Sequence, residues 1–279
     1  MSGDPSIEGD RALRTNVAAF DKIDERGLLV SPHLKHQGLR NLHRRLITLA
    51  AESAGPSIAT MSVLELGAGD GLGSAPWFEL GVARVVAVDP SPVMLERFAA
   101  RAAASGITAE VACMDGDRFF ATHKERFDVV SFASVLHHIP DYLQVVRAAM
   151  EAVRPGGSLV IFQDPLRYDT MPRLHHTMGR AAYFGWRVTR GDFRRGLRTL
   201  GRRLRGVYGA TEPSDYEEYH AVRNGVDSKA VVGVLEPEFD GVQEFRYWST
   251  PARVLQALGE RLGLETEFGI VATKRHGTA

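Results

Sequence analysis

Residues 63–73 read VLELGAGDGLG, in which a short apolar stretch typical of a β-strand runs into four glycines spaced two residues apart. A dinucleotide-binding turn requires the spacing G-x-G-x-x-G, but the sixth position from Gly67 is Leu72, and from Gly69 it is Ser74. A phosphate-binding P-loop requires a Gly-Lys-Ser/Thr run, which does not follow here. The turn therefore either holds another kind of ligand or connects a strand to a helix.

Outward from this turn, short apolar or β-branched segments alternate with Ala/Leu-rich helical segments. Strand, helix and strand at this spacing predict parallel strands joined by right-handed crossovers, which is a doubly wound α/β fold. Two further strand-like segments near the C-terminus bring the predicted, mostly parallel sheet to seven strands. The segments are SVLEL (62–66), RVVAVD (84–89), TAEVAC (108–113), FDVVSFA (127–133), SLVIFQD (158–164), VQEFRYWS (242–249) and ETEFGIVATKR (265–275).

The chain divides into four parts by pattern. Helical segments broken at Gly27, Pro32 and Gly38 precede the first strand, and regular alternation fails for about 60 residues after the fifth strand. We therefore predict N-terminal cap helices over 1–61, a core over 62–165, a helical lid or insertion over 166–226, and the rest of the core sheet over 227–279.

Composition limits the partners and the setting. The chain has 279 residues, 44% of them hydrophobic, and a formal net charge of zero, so it is not expected to bind polyanions such as DNA as a whole molecule. Cys113 is its only cysteine, which excludes an internal disulfide and a multi-cysteine metal site and favours a cytoplasmic setting. The N-terminal residues lack a signal-peptide pattern, and no apolar run is long enough to span a membrane.

Several motifs in order resemble those of class I S-adenosylmethionine-dependent methyltransferases of the small-molecule type. VLELGAGDG is similar to the first motif of that family, VVAVDPSPVML ends its strand in Asp89, and CMDGD contains Asp115. FDVVSFASVLHHIPD and RPGGSLVI are similar to the later motifs, so the resemblance covers residues 62–164 continuously. It implies a Rossmann-like methyltransferase fold with S-adenosyl-L-methionine as cofactor.

The resemblance also implies a set of cofactor contacts. Asp89 would accept hydrogen bonds from both ribose hydroxyls, Asp115 would meet the adenine amine, and the glycines would let the backbone approach the ligand. Three alternatives stay open from the residues alone: Glu65 as a strand-end polar residue, Asp115 as a helix N-cap, and Asp89 as the start of a helix. The expected cofactor-binding residues are Glu65, Gly67, Gly69, Gly71, Asp89, Pro90, Met94, Asp115, Gly116 and Ser134.

Candidate catalytic residues follow the fourth and fifth strands. Methyl transfer from a sulfonium is an in-line displacement that needs alignment and a dry pocket, and a hydroxyl acceptor also benefits from a base. We expect His138 or His137 to be that base and Asp164 to contact the substrate, the alternative being that one histidine packs and the other caps the next helix. No metal is expected, because the pair His175 and His176 has no matching cysteine or acid triad.

The predicted insertion is strongly basic. Eleven arginines, no lysine and two acids lie between Leu166 and Arg205. One interpretation is a docked helix with a solvated basic face. The functional interpretations are an anionic or lipid-like acceptor, peripheral contact with an anionic membrane through residues 183–208, or RNA.

The sequence therefore favours a methyltransferase acting on a small molecule, with O-methylation the expected reaction. A tRNA or rRNA methyltransferase is the first alternative, but QDPL follows the fifth strand where nucleobase amine methylases resemble Asn/Asp-Pro-Pro-aromatic, and no RNA-binding module is visible, so RNA is disfavoured. The second alternative is a non-catalytic protein that binds the cofactor and regulates a partner. No motif indicates an oligomeric state.

Overall fold

A computed structural model of the chain describes residues 13–14, 17–18, 20–22, 25–189 and 224–275. Seven strands form one sheet in the order β3-β2-β1-β4-β5-β7-β6, in which β7 runs antiparallel to both of its neighbours and the first five strands are parallel. The predicted fold class is confirmed. The strands are β1 Ser62–Leu66, β2 Arg84–Asp89, β3 Thr108–Cys113, β4 Phe127–Ala133, β5 Val153–Pro165, β6 Phe239–Tyr247 and β7 Glu267–Lys274.

Helices flank the sheet on both faces. The predicted break at Gly38 is wrong, because this glycine lies in the first turn of a 17-residue helix, where it interrupts nothing. Single 3₁₀ turns occur at Ile58–Thr60 and Leu136–His138. The helices are α1 Glu25–Leu28, α2 Pro32–Lys35, α3 Gln37–Ser53, α4 Ala75–Leu80, α5 Pro92–Ala104, α6 Gly116–Thr122, α7 Tyr142–Ala152, α8 Arg173–Thr189, α9 Ser228–Leu235 and α10 Arg253–Arg261.

The sheet separates two hydrophobic clusters, one on each face. Along β5, Leu159 and Ile161 belong to the cluster that includes buried residues of α6, α7 and α9, whereas Val160 and Phe162 belong to the cluster that includes those of α3, α4 and α5. Both sets are buried, which explains why the parallel strands read as continuous apolar runs. The polar residues at the carboxyl ends of these strands are thereby brought to one edge of the sheet.

The basic insertion lies largely outside the described residues, which omit 190–223. Its described beginning includes α8, where Ala182 packs against Trp248 and Leu264. The membrane contact predicted for 183–208 falls outside the described residues from 190 onward. Across the described chain, no helix is long and apolar enough to cross a membrane.

Candidate functional site

The glycine-rich turn follows β1 and lies beside the end of β2. Gly67, Gly69 and Gly71 have φ values of +64°, +55° and +83°, in the left-handed region that favours glycine. The Gly67 and Ala68 amides both donate to the Val88 carbonyl, at 2.8 and 3.2 Å. These bonds hold the turn beside the carboxyl end of β2, where Asp89 lies.

The glycines differ in what surrounds them. A Cβ on Gly67 would lie 2.2 Å from Val135 Cγ2, and one on Gly71 would lie 3.1 Å from Phe98 Cδ2. A Cβ on Gly69 would meet no protein atom within 4 Å. Packing within the fold therefore already accounts for Gly67, and Gly69 is the glycine next to which there is room for a ligand.

Asp89 is anchored at this turn by two backbone donors. Its Oδ2 accepts from the Gly69 amide and its Oδ1 from the Ser91 amide, both at 2.9 Å. Burial raises the pKa of Asp89, and these two hydrogen bonds counteract the rise. The helix cap is Ser91, whose hydroxyl accepts from the Met94 amide at 3.1 Å, so Asp89 does not cap α5. Each Asp89 oxygen therefore keeps a lone pair for a further donor such as a hydroxyl.

The residues beyond β2 and β3 occupy distinct places. Asp115 is the N-cap of α6, the alternative that the sequence left open, and its Oδ1 accepts from the Arg118 amide at 2.8 Å. Gly116 follows at the first helical position. Pro90 lies between Asp89 and the capping Ser91, while the Met94 side chain is buried in α5.

Glu65 lies at the end of β1 and is 1% exposed. Burial raises its pKa to about 7, an effect that the Ser74 hydroxyl partly counteracts. Its Oε2 has no hydrogen-bond partner in the described part of the chain. A buried carboxyl under the turn, one of whose oxygens lacks a donor, fits a ligand with a cationic or hydrogen-bond-donating group.

The residues that follow β4 and those near the end of β5 lie at the carboxyl edge of the sheet. Ser134 has a φ of +60°, unusual for a residue with a side chain, and its amide donates to the Phe162 carbonyl at 2.7 Å. Three residues later, His137 meets Asp164 of β5. Asp164 Oδ1 accepts from His137 Nδ1 at 2.7 Å and from the His137 amide at 3.0 Å.

The pairing determines what each member can do. The Asp164 side chain is fully buried and that of His137 is 10% exposed. A carboxylate that accepts from Nδ1 keeps the proton on that nitrogen and leaves Nε2 as the acceptor. His137 therefore has the arrangement of a general base oriented by a buried carboxylate, and Asp164 faces the histidine.

His138 lies beside this pair, with its ring centroid 4.0 Å from that of His137. Phe20, from the N-terminal segment, contacts His138 edge-on at 5.6 Å, and the neighbouring Asp21 accepts a hydrogen bond from the Ser91 hydroxyl. Sequence reasoning missed Phe20 and Asp21, since no motif includes them and only the folded chain brings them to this edge.

Two further histidines contact the Phe162 ring of β5. His43 of α3 stacks on Phe162 at 4.1 Å, and His33 contacts the same ring edge-on at 6.1 Å. Burial lowers the pKa of His33 to about 4 and that of His43 to about 3. Among the described residues, no group of three or more His, Cys, Asp or Glu side chains is placed to hold a metal ion.

Comparison with known proteins finds similarity in the central part of the chain. A family model described as a methyltransferase domain matches residues 64–161. The ubiquinone biosynthesis O-methyltransferase of Methylobacterium nodulans is 35% identical over 159 residues, which are 55% of this chain and 62% of that protein. Its counterpart in Methylobacterium sp. (strain 4-46) is 36% identical over 100 residues, 36% of this chain and 39% of that protein. The chain thus matches only about two to three fifths of the length of these relatives.

Solved structures extend the likeness of fold beyond the matched domain. The N-methyltransferase NodS of Bradyrhizobium japonicum, solved with S-adenosyl-L-homocysteine, has a TM-score of 0.55 at 17% identity and covers 96% of this chain and 100% of its own. Phosphoethanolamine N-methyltransferase 1 of Haemonchus contortus has a TM-score of 0.56 at 14% identity, covering 99% of this chain and 51% of its own. At such identities the likeness shows a shared fold.

Proposed function

We propose that this chain, whose residues 64–161 belong to the methyltransferase-domain family, transfers a methyl group from S-adenosyl-L-methionine to a hydroxyl of a small molecule. The observation that carries the proposal is the pairing of His137 with Asp164 on the same sheet edge as the glycine turn and Asp89. An oriented base at the edge of the sheet that also carries the proposed cofactor site would assist O-methylation by accepting the proton of the acceptor hydroxyl. The O-methyltransferase names of the relatives support the same reaction.

The turn and its neighbours have the properties needed to hold the cofactor. Asp89 offers two half-buried, backbone-anchored oxygens for a ribose, Gly69 borders open space, and Glu65 supplies a buried carboxyl. Pro90, Met94, Asp115, Gly116 and Ser134 stay predicted contacts. When bound, the cofactor supplies an electrophilic methyl group on a sulfonium.

His137 is proposed as the base and Asp164 as the group that orients it. With Asp164 holding Nδ1, the Nε2 of His137 accepts the proton of the acceptor hydroxyl as its oxygen becomes nucleophilic. His138, which contacts His137 and Phe20, is proposed to shield this edge from water.

The acceptor is proposed to be anionic or lipid-like. The eleven arginines between Leu166 and Arg205 support an acidic group on the substrate or an anionic surface that presents it. A cytoplasmic location and the four-part division of the chain are proposed on the sequence evidence given above.

The test begins with binding. Calorimetry should detect binding of S-adenosyl-L-homocysteine and no binding of a nicotinamide dinucleotide. Labelled cofactor incubated with the protein and a metabolite extract should yield a labelled small molecule. His137→Gln should then lower kcat by about 10²-fold or more while leaving cofactor affinity unchanged. His123→Gln is the matched control, because His123 stacks on Phe119 away from the sheet edge. Label in RNA, or unchanged turnover of His137→Gln at saturating acceptor, would contradict the proposal.

A further inference from the structure

The Asp164 side chain lies on the opposite face of the sheet from the one that regular alternation along β5 predicts. Side chains of a regular strand alternate between faces, so Asp164 would share the face of Val160 and Phe162. It instead bonds to His137, which follows Leu136, a member of the opposite cluster with Leu159 and Ile161. The even-numbered side chains of β5 therefore point to one face of the sheet up to Phe162 and to the other face from Asp164 onward.

One extra residue in β5 causes the change. Phe162 is paired with Gly269 and Asp164 with Phe268, so two steps on β5 match one step on β7 and Gln163 is the bulged residue. Beyond the bulge, Leu166 returns to the cluster of Leu159 and Ile161, in step with Asp164. A β-bulge is a recurrent way to re-aim a side chain next to an active site.

Gln163 adopts a conformation that its residue type disfavours. Its φ of +65° lies in the left-handed region, which for a residue with a side chain is strained by about 1–2 kcal/mol. The strained conformation is accompanied by specific bonds. Its amide donates to Tyr247 Oη at 2.8 Å, and its Nε2 donates to Ser249 Oγ at 2.8 Å.

Tyr247 holds the bulge from β6, the strand beyond β7. Its hydroxyl donates to the Phe268 carbonyl at 3.2 Å while accepting from Gln163, and its ring stacks on Phe162 at 5.6 Å. The Tyr247 hydroxyl thus links Gln163, the bulged residue of β5, to β7, the partner strand at the bulge. Tyr247 comes from β6, 84 residues beyond Gln163 in the chain.

We propose that Tyr247 is a positioning residue, which holds the Gln163 bulge and so turns Asp164 toward His137. The inference rests on the proposed role of His137 as base. In this assignment Tyr247 acts through the bulge and not on the reacting atoms. It acts by stabilising the bulge that interrupts the regular alternation of side chains along β5.

The test removes only the hydroxyl. Tyr247→Phe retains the ring that stacks on Phe162 but leaves the Gln163 amide without its acceptor. We expect kcat to fall at least about 10-fold with little change in the KM for cofactor. Tyr142→Phe is the matched control, since the Tyr142 hydroxyl also accepts a backbone amide, that of Asp227 at 3.1 Å, and its loss should leave kcat unchanged.

A second readout needs neither cofactor nor acceptor. Nitrogen-15 NMR of the histidine side chains reports which ring nitrogen of His137 carries the proton. The wild type and Tyr142→Phe should show the Nδ1-protonated form, and Tyr247→Phe should show a mixture. This arm decides the inference even if the chain proves to have no methyltransferase activity.

Variants at the bulge give a further separation. Gln163→Gly adopts positive φ without strain and should keep the Nδ1-protonated form, whereas Gln163→Val should lose it. Adding Gln163→Gly to Tyr247→Phe should restore part of the lost rate. The inference is overturned if Tyr247→Phe leaves both kcat and the His137 tautomer unchanged, or if Gln163→Val retains the wild-type tautomer.

Discussion

Replacement of Glu65 by glutamine should change the pH dependence of stability in a calculable way. The folded carboxyl holds its proton up to a pKa of about 7 because it is buried, whereas the ordinary value is 4.5. The folded state therefore binds more protons than the unfolded state between these values. Stability contributed by this group is present at low pH and is lost as the pH rises through them.

The magnitude follows from the two values. Between pH 5.5 and pH 8 the wild type should lose about 2 kcal/mol of unfolding free energy through Glu65, and glutamine, which does not titrate, should lose none. The difference between Glu65→Gln and wild type should therefore grow by about 2 kcal/mol in favour of the variant over this range. Other titrating groups are common to both proteins and cancel in the difference.

Urea denaturation at both pH values, without ligand, measures the difference. Glu79→Gln is the control, because Arg44 lowers the pKa of Glu79, which therefore stays ionised in folded and unfolded chains throughout the range. Its difference from wild type should not vary with pH. A flat difference for Glu65→Gln, or one that favours the wild type as pH rises, would refute the reasoning that Glu65 is a buried, protonated acid.

The glycine turn and the buried His43 provide the other predictions. Gly67→Ala should lower the unfolding free energy by about 2 kcal/mol or more, since its Cβ would lie 2.2 Å from Val135. Gly69→Ala should lower it by only about 1 kcal/mol, through backbone strain, but should weaken cofactor binding. Denaturation and calorimetry separate the two effects, and equal stability losses would contradict them. His43→Phe keeps the stacking on Phe162 but removes a histidine whose pKa is lowered to about 3. Between pH 7.5 and pH 5 the unfolding free energy of the variant should therefore fall by about 2 kcal/mol less than that of the wild type. Parallel acid sensitivity of variant and wild type would argue against a neutral buried His43.

The sign for His43 is opposite to that for Glu65. A histidine buried in its neutral form takes up a proton more readily when the chain unfolds, so stability is full above about pH 6.5 and is lost as the pH falls below it. His33, which contacts the same Phe162 ring, contributes in the same direction.

The sequence by itself determined the sheet and the positions of its polar ends. Apolar runs, helical segments and the glycine spacing are local patterns, so they predicted the strands, the placement of Asp89 at the end of one strand and that of His137 just beyond another. The helix-cap alternative for Asp115 was also visible, because capping depends on the next three residues.

Only the tertiary structure decided how these groups face each other. Regular alternation would turn Asp164 away from His137, and the bulge that reverses it is tied to Tyr247 on another strand. Val135, which excludes a side chain at Gly67, likewise reaches the turn from a different part of the chain. Contacts between residues far apart in sequence leave no periodic trace in the chain, and they are formed only when the strands pack side by side.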